Sequence, residues 1–311
     1  MTWTDLAWLG EARSWIDGQL ERLGLAADGP AEQIHVRPWA TAIRVPTTDG
    51  VLWFKAAIPV LAYEPSVVGL ISRRRPDLVP EVMAADLDRG WMLTADGGER
   101  LRELVERERS LERWLSVLPL YAELQLALGG DGDEFVSLGA PDRRLAGLTA
   151  QYEELLEHMP CEFSGTEPRV TELCAEVGSL GLPETIQHDD LHDAQVFVRD
   201  GSYLFFDWGD ACVSHPFFSM SVTLEGNISW GIEDVENAVD IAPFRDAYLE
   251  PFTSLAPRSE LEAALAAAMR LGWICRALNV ERYASVLDSP HSEELLEGVP
   301  LRLRLAIQNR S

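Results

Sequence analysis

His188-Asp189-Asp190-Leu191-His192-Asp193-Ala194-Gln195-Val196-Phe197-Val198-Arg199-Asp200-Gly201-Ser202-Tyr203-Leu204-Phe205-Phe206-Asp207-Trp208-Gly209-Asp210 is the stretch on which the reading of this chain turns. Val196 to Val198 and Tyr203 to Phe206 are strand-like, and Arg199-Asp200-Gly201-Ser202 is a turn, so the segment predicts a β-hairpin. Closing the hairpin brings its ends together, and Asp190 and Gln195 then lie near Asp207 although 17 positions separate the two aspartates. One carboxylate can take a proton from a hydroxyl while another holds a divalent cation on a polyphosphate. Phosphoryl transfer needs that division of labour, because its catalysis is mainly positioning and charge neutralisation. The plainer alternative is a hairpin carrying solvated acids.

The stretch resembles the aminoglycoside phosphotransferase and choline kinase-like family, distant relatives of protein kinases. The family's catalytic loop reads His-Gly-Asp-x-x-x-x-Asn, followed by a short hairpin and an Asp-containing metal motif; His188 to Gln195 and Asp207 to Asp210 match in register. The resemblance implies a bilobal protein-kinase-like α+β fold and ATP and Mg²⁺ as cofactors. It makes Asp190 and His188 the candidate catalytic residues, Asp190 as base and His188 as brace of the loop. Asp207 becomes the principal Mg²⁺ ligand, and Gln195 takes the second ligand position. Two residues depart from the pattern: Asp189 stands for the glycine and Gln195 for the asparagine. A Gln amide offers the same carbonyl oxygen on a stem one methylene longer, so the second metal would bind with a shifted loop or with Asp193 assisting.

A kinase reading also needs a lysine on an N-terminal strand. Val51-Leu52-Trp53-Phe54-Lys55-Ala56 supplies Lys55 for the ATP phosphates, with Glu64 as its ion-pair partner on the next helix. By position alone, Thr41 lies in the phosphate-covering segment Arg37 to Ala42, which has no glycine, and Thr94 to Asp96 form the adenine-contacting hinge.

Around these residues the pattern predicts a helix from Trp3 to Leu23, strands Gln33 to Val45 and Val51 to Ile58 about the turn Thr48-Asp49-Gly50, and a helix from Glu64 to Arg73. An apolar run, Gly90 to Thr94, ends at Asp96-Gly97-Gly98, a natural hinge. Beyond it, helices are expected over Leu101 to Leu128, Leu145 to His158, Val170 to Leu180 and Arg258 to Leu287, the last broken near Gly272. The division is an N-lobe of residues 1–95, a nucleotide-covering sheet and helix, and a C-lobe of residues 96–311 with catalytic loop, metal site and substrate pocket.

The chain has 311 residues, 47% apolar and 25% charged, with no apolar run long enough to span a bilayer and no signal pattern at its start. A soluble, cytoplasmic protein without a membrane partner is expected. Its net charge of −25 argues against nucleic-acid binding, and draws attention to a cationic acceptor, an aminoglycoside or another cationic or sugar-like alcohol. Glu225, Glu233, Asp234 and Glu236 could line such a pocket, with Trp230 and Trp273 stacking in it or packing in the core. Four cysteines, Cys161, Cys174, Cys212 and Cys275, have no C-x-x-C spacing and read as reduced thiols, mostly buried. Two rival functions remain: a metal-dependent phosphohydrolase built on His188, Asp189, His192 and Asp193, and a pseudokinase with little turnover, suggested by Asp189, Gln195 and Ser219. Sequence leaves the acceptor, ATP versus GTP, and the oligomeric state open.

Overall fold

The computed structural model describes residues 3–307. Its first helix, α1 (Leu6–Leu23), begins where the Asp5 carboxylate accepts from the Ala7 and Trp8 amides and ends at Gly24 in the left-handed region. Then follow β1 (Glu32–Val36), β2 (Ala40–Thr47), β3 (Gly50–Ala57), α2 (Glu64–Arg74), β4 (Val82–Asp86) and β5 (Trp91–Ala95). The five strands form one antiparallel sheet in the order β1-β2-β3-β5-β4.

Strand alternation decides what the sheet delivers to each face. Phe54 of β3 meets Trp8 and Trp15 of α1, with ring centroids 6.4 and 5.6 Å away, and Trp91 of β5 at 5.4 Å. Its neighbour Lys55 therefore faces the opposite side, towards α2. The region read as one strand from Gln33 to Val45 is two, because Arg37 N–H donates to the Ala40 carbonyl (2.8 Å) and folds the chain back at Pro38. The edge strand β4 carries only a short Val-Met-Ala-Ala-Asp run with a register shift, too weak a pattern to read in advance.

The rest of the chain is mostly helical: β6 (Glu99–Arg100), α3 (Leu101–Glu108), α4 (Trp114–Ala127), α5 (Gly132–Ser137), α6 (Leu145–Leu156), α7 (Glu167–Gly178), β7 (Thr185–Gln187), β8 (Val196–Arg199), β9 (Ser202–Phe205), β10 (Cys212–Ser214), α8 (Ala242–Leu249), α9 (Arg258–Ala284), α10 (Ser289–Glu297) and α11 (Val299–Ile307). A π-helical turn, Ser221–Asn227, follows β10. The β8–β9 hairpin forms as expected, pairing Val196 with Phe205 and Arg199 with Ser202. Beneath it β7 and β10 pair antiparallel, Gln187 opposite Cys212, so the loop entering the hairpin and the loop leaving it share one base.

Two helix expectations change. Leu101 to Leu128 breaks into α3 and α4 at Arg109, which takes a left-handed φ of 54°. The Arg113 guanidinium reaches back across the break to Glu108 (2.7 Å). By contrast α9 runs unbroken through Gly272. There a Cβ would overlap Ser221 Oγ and the Phe218 carbonyl, so the glycine serves close packing. Gly272→Ala is expected to destabilise the fold by about 2 kcal/mol, overpacking outweighing the better helix propensity of alanine. Chemical denaturation checks this; an unchanged or raised midpoint would contradict it.

Buried His215 sets a pH dependence. Burial holds its imidazole down at about 3, Nδ1 accepts from the Phe217 amide (3.3 Å), and Nε2 has no partner among the described residues. The unfolded chain would bind its proton near pH 6.5. Between these values the unfolded state holds the extra proton, so stability falls on acidification by about 1.4 kcal/mol per pH unit from this group. His215→Asn should flatten the slope of unfolding free energy between about pH 6 and 4; parallel curves for the two proteins would contradict the assignment.

Among the described residues no helix is long and apolar enough to cross a membrane.

Candidate active site

The face of β3 opposite Phe54 opens onto the loops that flank the hairpin. Lys55 Nζ donates to Glu64 (2.7 Å) and to Asp207 Oδ1, joining strand, helix and the end of the hairpin. Glu64 is the first residue of α2 and is 2% exposed. Burial raises its pKa and Lys55 opposes the rise. Burial alone would lower the Lys55 pKa, but Asp207 and Glu64 outweigh it and raise it. At Asp207 burial pushes upward and Lys55 more strongly downward, leaving the carboxyl at about 2. This carboxylate, with a side chain 47% exposed, is therefore ionised and still accessible.

Gln195, at the start of the hairpin, donates its side-chain amide to Asp207 Oδ2 (3.1 Å), while its backbone carbonyl accepts from the Phe206 amide (2.8 Å). The sequence pairs Lys55 with Glu64 and, separately, Asp207 with Gln195, and the structure brings all four together. Asp207 and Gln195 both offer the oxygen donors that Mg²⁺ takes, and an accessible carboxylate held at about 2 fits a cation. The Gln195 amide now turns its NH₂ to Asp207, so serving as a ligand requires the amide to present its carbonyl instead. Asp193, the other candidate, is buried and its carboxylate is taken by Arg102 of α3 (2.7 Å).

His188 is buried; its Nε2 lies 2.6 Å from the Phe206 carbonyl, its ring packs on Trp208, and burial lowers its pKa. A neutral imidazole that ties the loop to the hairpin is a brace. Asp190 is partly exposed, with Oδ2 3.9 Å from His192 Nε2 and Oδ1 2.8 Å from Arg276 Nη2. Thr41 is buried, its hydroxyl donating to the His35 carbonyl and accepting from Gln33 (both 2.8 Å), so that group is spent on the β1–β2 connection. Thr94 is buried in β5, its hydroxyl 3.4 Å from the Trp53 carbonyl. Asp96 accepts from the Trp53 indole (2.7 Å) and the Gly98 amide (3.2 Å), which shapes the turn after β5.

Sequence reasoning missed Arg276. This guanidinium of α9 contacts three carboxylates: Asp190, Asp210 (3.0 Å) and Asp189 (3.4 Å). Burial opposes its charge, and Asp190 and Asp210 outweigh that and hold it protonated. Asp189, in the family's glycine position, has a left-handed φ of 64° and is 1% exposed. A buried acid there is tolerable only with partners: Asn279 Nδ2 at 2.8 Å, Gln187 Nε2 at 3.2 Å, and Arg276. The departure from glycine was the available signal, since a buried carboxylate demands a cation. Burial also raises the pKa of Asp210, which sits among the other aspartates, to about 6.

The residues proposed for a hydrolase do not converge. Asp193 is paired with Arg102, His188 with a backbone carbonyl and Asp189 with α9; among the described residues the one group gathering three metal-binding atoms is Asp189, Cys212 and Cys275. All four cysteines are free thiols; Cys212 and Cys275 are buried with sulfurs 3.4 Å apart, Cys174 is half-buried, and Cys161 is exposed. Ser219 is buried and braces Gln187 and Tyr121.

Beside this cluster lies a cavity of about 440 Å³, within the usual range for small ligands. Glu225, Glu236, Trp230, Trp273 and Arg302 are among its lining residues. Of the acids expected near a ligand, Glu225 accepts from the Trp273 indole (2.7 Å), and Glu233 is ion-paired with Arg109 on the surface.

The model of the phosphotransferase enzyme family matches residues 70–261, more than half of the chain. The chain belongs to the phosphotransferase enzyme family. Its fold is α+β and protein-kinase-like, a β-sheet N-terminal region followed by a helical remainder. It is similar to a macrolide 2′-phosphotransferase type I (16% identity, TM-score 0.60, covering 97% of this chain and 99% of that one). It is also similar to an ethanolamine kinase of Plasmodium vivax (13%, TM-score 0.57, 92% and 83%), and to APH(2″)-IIa in its ternary complex with streptomycin and ATP (12%, TM-score 0.57, 95% and 98%). At these identities the likeness is one of fold. No curated protein matches the chain by sequence.

Proposed function

We propose that this phosphotransferase moves the γ-phosphoryl group of ATP to a hydroxyl of a small molecule, with residues 1–95 and 96–311 as the two lobes that enclose the nucleotide. The observation that supports this reading best is the continuous linkage Glu64–Lys55–Asp207–Gln195, ending on the loop that carries Asp190. Lys55 is charged and half-buried, suited to phosphate oxygens, and the backbone from Thr94 to Asp96 offers the adenine an edge. Mg²⁺, held by Asp207 and Gln195 when bound, would offset the negative charge of the transferring group. Arg276 occupies Asp190 Oδ1, which leaves Oδ2 to accept the proton of the attacking hydroxyl. His188 and Asp189 fix the loop that carries Asp190. The acidity of the chain fits action on dissolved metabolites, which we place in the cytoplasm.

A second reading, nucleotide binding with little turnover, is favoured by the Gln195 amide turning its NH₂ to Asp207 and by the cation already on Asp190. Titration calorimetry with Mg·ATP tests the nucleotide site shared by both readings. The wild-type protein is expected to bind, and Lys55→Ala to weaken binding about tenfold or more, as loss of a charge-assisted contact does. Absence of nucleotide binding to the wild-type protein would contradict both.

A further inference from the structure

Arg302 of α11 lines the 440 Å³ cavity, half-buried, and its side chain makes no hydrogen bond or ion pair among the described residues. This is costly, because a charge taken partly out of water needs a counter-charge. Burial, and after it the nearby charge of Arg276, disfavours its protonated form, and Tyr283, Asp190 and Asp189 offset this only in part. The two acids lining the cavity do not answer it: Glu225 is engaged with the Trp273 indole, and Glu236 is exposed, where solvent screens it. Gly298, one turn earlier on the chain, leaves room for the guanidinium, since a Cβ there would run into Arg302 Nη1 at 2.5 Å.

The cavity is also joined to the candidate base. Trp273 in its wall and Arg276 on Asp190 are three residues apart on α9, so they share a helix face. On the other side Thr223, in the π-helical turn that carries Glu225, donates its hydroxyl to the Leu191 carbonyl next to Asp190 (2.8 Å). We infer that the cavity is the acceptor site and that Arg302 selects a hydroxy compound bearing an anionic group, a carboxylate or a phosphate, whose apolar body lies against Trp230 and Trp273. The bound anion supplies the counter-charge that no described residue places against Arg302, and the acceptor hydroxyl is left towards Asp190. The cationic acceptor suggested by the overall charge would instead meet Arg302 unpaired. This inference rests on the phosphotransferase reading for the word acceptor, but not for the anion site itself.

The test uses probes of matched size: phenyllactate (anionic), phenylpropanediol (neutral) and phenylalaninol (cationic), with glycerol phosphate to separate phosphate from carboxylate. Binding to the intact protein is measured by calorimetry, and turnover with Mg·ATP in parallel. Phenyllactate or glycerol phosphate should bind about tenfold or more tighter than the neutral and cationic probes, as a charge-assisted hydrogen bond implies. Arg302→Gln should remove that preference and Arg302→Lys should keep it, with melting temperatures confirming that both variants fold. Equal binding of all probes, binding of none, or a preference that survives in Arg302→Gln overturns the inference. Selective anion binding without any phosphoryl transfer would remove the kinase reading and leave the site. Transfer to phenylalaninol, undiminished in Arg302→Gln, would keep the kinase reading and remove the site.

Discussion

Asp190→Asn should lower phosphoryl transfer by about a thousandfold while leaving Mg·ATP affinity nearly unchanged, the middle of the range for loss of a general base. Asparagine keeps the size of the side chain and one oxygen, so the contact with Arg276 can persist through its carbonyl. What disappears is a group able to take a proton. Nucleotide contacts lie on the other side of the hairpin, at Lys55 and Asp207, so binding is spared. Steady-state kinetics together with calorimetry read the two quantities separately. Turnover within tenfold of wild type would mean that Asp190 is no base.

Asp207→Asn should be as damaging for a different reason. This carboxylate is the meeting point of Lys55 and Gln195, and Lys55 holds it ionised at about 2. Asparagine also tolerates the left-handed φ of 62° found there, so the backbone can stay in place. Removing the charge deletes the acidic oxygen offered to a divalent cation and leaves Lys55 with Glu64 alone. Turnover is expected to fall by about a thousandfold and to lose its dependence on Mg²⁺ concentration, unlike Asp190→Asn. A variant that still responds to Mg²⁺ as the wild-type protein does would contradict the assignment.

The hairpin was legible because strand alternation and an Asp-Gly turn are local signals. Lys55 and Glu64 were legible only through their order relative to the Asp190 loop, since a lysine on a strand and an acid at a helix start are common in themselves. The break at Arg109 was not, because no glycine or proline marks it and the chain reverses through an arginine in a left-handed conformation. Strands β7 and β10 escaped notice because three residues carry no period, and their pairing is a tertiary event. Arg276 was hidden for a related reason. An arginine in an Ala- and Leu-rich helix reads as solvated, and only the fold sets it against three aspartates more than sixty residues away. The suggestion of a cationic pocket came from net charge, a global quantity that is blind to Arg302 in the cavity, which has no side-chain partner among the described residues.

The central claim is that a phosphoryl group passes from ATP to a hydroxyl at Asp190. Phosphorus-31 NMR of the wild-type protein with Mg·ATP and a panel of hydroxylated small molecules, anionic, neutral and cationic, tests it most directly. A new phosphomonoester signal should rise in step with ADP in the wild-type protein and be absent with Asp190→Asn. Release of inorganic phosphate alone, or an ester formed equally by the variant, would contradict the account.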